Sequence, residues 1–193
     1  MCILGIMRNC VIIHGGPLQE EEMTPHFLQD LYWQRWVKNE LQKAGIHVEI
    51  PSMPNPWKPS YLEYKKVFEK LPLHESTVLI GHSRGCAFLV RWLGETKSSV
   101  RKLIMVAPNF VTTSSEQTVK DFYSFEIDST IKNRVQERII FTSDTEVQEG
   151  KDSLEMVNEK LDCEVVNLPN HGHYITEEMG GDEFPELVAC VLK

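Results

Sequence analysis

Short apolar runs alternate with longer amphipathic stretches along the chain. Runs over Cys10–Ile13, Ile46–Ile50, Thr77–Gly81, Lys102–Ala107, Arg138–Thr142 and Glu164–Leu168 are rich in Val, Ile or Leu and end at turn-prone or small polar residues. That length and composition predict strands. Between them, apolar residues recur at helical spacing. Trp33, Trp36, Val37, Leu41 and Ala44 share one face of Gln29–Ala44, with Gly45 as a stop. Tyr61, Tyr64, Val67, Phe68 and Leu71 repeat the pattern, as do Cys86, Leu89, Val90 and Leu93, which Gly94 follows. Leu154, Val157 and Leu161 mark another helix, and Phe184, Leu187, Val188 and Val191 a last one. Strict alternation of strand and helix predicts an α/β fold with a parallel sheet covered by helices on both faces. The Trp33/Trp36 stripe reads as core.

One stretch breaks the rhythm. Pro108–Ile131 is polar and rich in Ser and Thr, yet carries Phe110, Phe122, Tyr123 and Phe125. It reads as a small cap over the sheet's carboxyl edge, or equally as an amphipathic surface helix with core aromatics.

A length of 193 residues suits one domain, and 41% hydrophobic with 25% charged residues is globular composition. The 20 Lys+Arg against 28 Asp+Glu give a formal charge of −8, which disfavours nucleic acid or an anionic membrane as partner. Five cysteines, Cys2, Cys10, Cys86, Cys163 and Cys190, lack C-x-x-C spacing and fit no closed disulfide framework. Reduced thiols in a cytoplasmic protein are expected. The apolar leader Met1–Met7 is too short for a signal peptide, and no apolar run approaches membrane-spanning length.

The segment Thr77-Val78-Leu79-Ile80-Gly81-His82-Ser83-Arg84-Gly85-Cys86-Ala87-Phe88 reads strand, Gly-x-Ser-x-Gly, helix. A sharp strand-to-helix turn would lift Ser83 Oγ above the sheet, with glycines where side chains would strike neighbouring backbone. It would also set the Arg84 N–H at a helix start, where orphan donors and the helix dipole favour an anion.

A hydroxyl becomes a nucleophile when a base takes its proton. In chains with this elbow the partners follow in the order serine, acid, histidine. Of seven histidines, only His171 and His173 follow a late strand, on the loop Asn170-His171-Gly172-His173-Tyr174. His173 is the candidate base, because Gly-His before an aromatic is the usual form of such a loop; His171 is its competitor. Asp144 is the first carboxylate past the strand Arg138–Thr142 and is the candidate acid, with Glu146 and Asp152 as competitors. The first strand runs into His14-Gly15-Gly16-Pro17. Pro17 has no N–H, so Gly16 N–H is the candidate oxyanion donor beside Arg84 N–H. His14 itself reads as a packing or loop-orienting residue.

These motifs resemble the small serine hydrolases of the retinoblastoma-binding-protein/YdeN type, within the α/β-hydrolase superfamily. The matching parts are Val11–Ile13, the Trp33–Ala44 helix, Pro51-Ser52-Met53-Pro54-Asn55-Pro56, Gly81–Gly85 and Gly172-His173-Tyr174. The resemblance implies a compact α/β-hydrolase domain over residues 1–193, with about six mainly parallel strands and a minimal cap. It also implies Ser83, Asp144 and His173 as the triad. The chain departs from the family in two places. The loop after its first strand is less glycine-rich and leads into Glu20–Glu22, and its acid loop lacks the usual Pro.

The implied chemistry is acyl transfer from an ester, thioester or amide to water, most simply by a carboxylesterase acting on small acyl substrates. No cofactor and no metal is called for. A protein-binding module that keeps the fold without turnover is the alternative, since fold does not fix function. Scattered cysteines and unpatterned histidines disfavour a cysteine-based or metal hydrolase.

Overall fold

The computed structural model describes residues 9–16 and 32–193. The leader Met1–Met7, Pro17, Glu20–Glu22 and Gln29 lie outside the described residues.

Each of the apolar runs becomes a strand: β1 (Asn9–Ile13), β2 (His47–Glu49), β3 (Val78–His82), β4 (Val100–Val106), β5 (Val135–Ser143) and β6 (Glu164–Leu168). They form one six-stranded sheet in the order β2-β1-β3-β4-β5-β6, and every pair is parallel. Parallel neighbours need crossovers, and the amphipathic stretches supply them. These are α1 (Tyr32–Lys43), α2 (Tyr61–Phe68), α3 (Arg84–Thr96), α4 (Gln117–Tyr123) with a 3-10 turn at Ser129–Asn133, and α5 (Gln148–Leu161). The short α6 (Thr176–Met179) and α7 (Pro185–Leu192) follow β6.

Side chains alternate across the strands and so feed two separate cores. Val11, Ile13, Leu79, Leu103, Met105 and Ile140 pack with the buried faces of α2, α3 and α5. Cys10, Ile12, Ile80, Ile104, Val106 and Phe141 pack with α1 and α7 through Trp33, Val37, Leu41, Leu187 and Val191. Trp33 is thus core, as its stripe predicts. β3 lies inside the sheet and is buried throughout, whereas β6 is an edge strand with exposed Glu164, Val165 and Asn167.

Helix ends separate two uses of glycine. Gly45, at φ 79°, ends α1: its N–H bonds Gln42 O and the Ile46 N–H bonds Leu41 O, the two bonds of a Schellman stop. Gly94 does not end α3, which continues to Thr96 and is capped by left-handed Lys97. A Cβ at Gly94 would sit 3.2 Å from Asp128 Cβ, so this glycine serves close packing instead.

The stretch read as a small cap contains α4 and the 3-10 turn, and its aromatics turn inward. Phe110 and Phe122 are buried, and Phe122 meets the Tyr64 ring edge-on at 5.3 Å. It forms a flank of the α2–α3 face. Among the described residues, no helix is long and apolar enough to cross a membrane.

Candidate active site

Ser83 sits between β3 and α3 with φ 52° and ψ −122°, a backbone that a side chain resists. The turn is possible because its flanks lack side chains. A Cβ on Gly81 would lie 2.7 Å from Cys86 N, and one on Gly85 would strike the Ile13 carbonyl oxygen. The Ser83 N–H donates to Val106 O at 3.0 Å, while its own carbonyl accepts from Cys86 N at 3.0 Å and Asn109 N at 3.3 Å. The elbow is therefore tied to β4 and to the start of α3. As the sequence predicts, the hydroxyl stands at the carboxyl edge of the sheet and the Arg84 N–H opens the helix.

The loop after β6 brings His173 to that hydroxyl. His173 Nε2 lies 3.0 Å from Ser83 Oγ, although the two are separated by 90 positions in sequence. The end of β5 shapes the loop. Buried Ser143 accepts from His171 N at 2.9 Å and Gly172 N at 3.1 Å, and Thr145 Oγ1 accepts from Gly172 N at 3.0 Å. Tyr174, at φ 59°, turns the chain inward; its hydroxyl donates to Thr142 O, and its carbonyl accepts from Trp33 Nε1. His171 points elsewhere, with Nδ1 2.7 Å from Pro169 O.

Asp144 is not the carboxylate that meets the histidine. His173 Nδ1 lies 3.0 Å from Glu146 Oε1 and 3.2 Å from Oε2. Asp144 is exposed and accepts from Asn170 N at 2.8 Å, a bond that holds its carboxyl below the usual carboxylate range. The correction has a local cause. β5 ends in a turn closed by Glu146 N–H to Ser143 O, so the first carboxylate faces the neighbouring loop and Glu146, the fourth residue of the turn, faces inward. Glu146 is buried, and its Oε1 also accepts from Val147 N at 2.8 Å, at the start of α5. There the helix dipole favours the anion. Room for the side chain comes from Gly150, where a Cβ would lie 2.6 Å from Glu146 Cδ. Asp152 lies further along α5, where its Oδ1 bonds Gln148. A Glu just before a helix with Gly four residues later was the available sequence signal, because such a gap in the first turn admits a carboxylate folded over it.

On the opposite side, the loop after β1 passes close to Ser83. A Cβ on Gly15 would stand 3.1 Å from Ser83 Cβ, and one on Gly16 would lie 2.7 Å from Pro56 O. His14 Nδ1 donates to Gly15 O, and His14 Nε2 accepts from Met53 N at 3.2 Å. In a trans peptide the following N–H points opposite to that carbonyl, so the bond also fixes the direction of Gly16 N–H. Arg84 extends its guanidinium to Pro56 O, which ties the same segment to the elbow. His14 thus orients the loop.

Two histidines of the site are neutral by burial. It lowers His14 to about 4 and His82 to about 3, from an ordinary 6.5. Between those values and 6.5 the unfolded chain binds protons that the folded chain refuses, so stability rises with pH there and falls on acidification. Denaturant unfolding at pH 7 and pH 5 is expected to show a loss of about 2 kcal/mol per histidine. A flat profile over that interval would mean that both rings titrate normally in the folded protein.

The elbow at the carboxyl edge of a parallel sheet, faced by a histidine and a buried carboxylate, is the arrangement of an α/β-hydrolase. Residues 28–193 match the serine hydrolase family, and the chain belongs to it. It is 24% identical over 178 residues to YdeN of Bacillus subtilis, covering 89% of this chain and 88% of that one. The crystal structure of that gene product superposes with a TM-score of 0.81 at 21% identity, over 96% of this chain and 97% of the other. A monoacylglycerol lipase from Paleococcus ferrophilus gives 0.66 at 15% identity, over 95% and 93% of the two chains. The thioesterase domain from the curacin biosynthetic pathway gives 0.63 at 13%, over 97% and 92%.

Proposed function

We propose that this serine hydrolase acts as a carboxylesterase on small acyl substrates, through an acyl-enzyme on Ser83. The observation that carries the reading is the continuous chain from Ser83 Oγ through both nitrogens of His173 to the buried Glu146 carboxylate. With Nδ1–H donating to Glu146, Nε2 keeps a lone pair for the serine proton. Ser83 Oγ attacks the acyl carbon as His173 takes its proton, and the carbonyl electrons move onto oxygen. Arg84 N–H and Gly16 N–H are the donors for that oxyanion. Collapse expels the alkoxide, which takes the proton from His173. Water then repeats the sequence, releasing the acid and restoring Ser83. Glu146 holds the tautomer and stabilises the imidazolium. The free thiols of Cys10, Cys86, Cys163 and Cys190 suit a reducing compartment, so cytoplasmic residence belongs to the same proposal.

A fluorophosphonate probe, followed by peptide mapping, tests the nucleophile. Labelling is expected on Ser83 alone, and the same protein is expected to hydrolyse short-chain p-nitrophenyl esters. An unlabelled Ser83 in folded protein would overturn the reading. Turnover of acyl thioesters in preference to oxygen esters would move the substrate class and leave the triad in place.

A further inference from the structure

His82, the residue just before the nucleophile, has no part in the chemistry above, yet its ring touches the loop that carries the base. It is buried at the end of β3, edge-on to Trp33 at 5.6 Å and 5.5 Å from the His173 ring. Its Nε2 lies 2.9 Å from the His173 carbonyl oxygen, and its Nδ1 lies 3.3 Å from Nε2 of buried Gln34. We infer that His82 is a positioning residue, which donates a hydrogen bond to the backbone of His173 and so keeps that imidazole within reach of Ser83. The inference rests on the reading of His173 as base.

The proton assignment follows from the partners. A carbonyl oxygen only accepts, so Nε2 must carry the hydrogen. In a neutral ring Nδ1 then offers its lone pair, which meets the Gln34 amide N–H. Burial keeps the ring neutral at working pH. Gln34 Oε1 is buried and finds no hydrogen-bond partner among the described residues, and Gln34 Nε2 is the amide atom nearest His82 Nδ1. The loop has reason to need the bond. The next residue, Tyr174, stands at φ 59°, a region that a bulky side chain resists, and backbone in that state persists only where its surroundings hold it. His173 is held on both sides: its N–H donates to the Glu178 carboxylate and its carbonyl accepts from His82.

The pair His82→Met and His82→Gln separates positioning from filling of space, because the two side chains are similar in length and only Gln can donate. His82→Met is expected to lower kcat on a p-nitrophenyl ester by about 30-fold with KM within about threefold. His82→Gln is expected to recover most of that loss. A His82→Met kcat within threefold of the original, or a Gln variant no better than Met, would overturn the inference. Should His82→Met fail to fold, histidine 15N NMR of the unaltered protein decides, with the His82 signals assigned by their loss in His82→Gln. A neutral ring protonated on Nε2 supports the bond, and protonation on Nδ1 overturns it. Failure of the unaltered protein to label or turn over would instead bring down the reading of His173, which the NMR result does not depend on.

Discussion

Ser83→Ala and His173→Ala are each expected to cut ester turnover by roughly 10⁵- to 10⁶-fold, and the double variant to be no worse than either. In the proposed mechanism the two groups form one device. Without the imidazole the hydroxyl keeps its proton, and without the hydroxyl the imidazole has nothing to activate. The 3.0 Å contact between Ser83 Oγ and His173 Nε2 is the basis for expecting this non-additivity. His171→Ala supplies the contrast, with a loss of no more than about tenfold, because its Nδ1 bonds Pro169 O rather than a group of the site. Initial rates on one activated ester, with circular dichroism to establish folding, give the comparison. Additive losses in the double variant would show that the two residues do not work as a unit.

Replacing Glu146 by Gln is expected to lower kcat by roughly 10⁴-fold, while Asp144→Asn changes it by less than about threefold. An amide keeps the reach of Glu146 but can present NH₂ to His173 Nδ1. The imidazole would then place its hydrogen on Nε2, where it cannot accept the Ser83 proton. Asp144 differs because its Oδ1 accepts from the Asn170 N–H, and an asparagine oxygen can do the same. The pair is best compared at the pH of maximal activity, with thermal midpoints measured alongside. The opposite ranking would return the orienting role to the first carboxylate after β5.

The strands and the elbow were legible because local chemistry states them. Val-, Ile- and Leu-rich runs bounded by turn residues can do little but pair, and Gly81 and Gly85 flank Ser83 for steric reasons that their spacing shows. The place of His173 beside Ser83 was legible from its Gly-His-aromatic loop. The choice between Asp144 and Glu146 turned on the local turn that ends β5 together with a distant contact. Asp144 is drawn to an amide of the β6 loop, 26 residues away, and that attraction leaves the inward place to Glu146. The contact of His82 with His173, 91 residues on, was hidden for the same reason, since only the pairing of β3 within the sheet brings the two together. Gly94 and Gly45 look alike in sequence, although the first admits a neighbour and the second ends a helix.

The edge position of β6 has a consequence for how activity returns after denaturation. Ser83 follows an interior strand, but His173 hangs from a rim strand that is paired on one side only. Contacts this distant in sequence close late, after the loop entropy between them has been overcome. A refolding chain would regain helical dichroism while still inert, and catalysis would reappear with the docking of the rim. Heating would run the order backwards, since rim elements open at lower cost than the interior. Loss of turnover would then mark the fraying of one strand well before the sheet itself gives way.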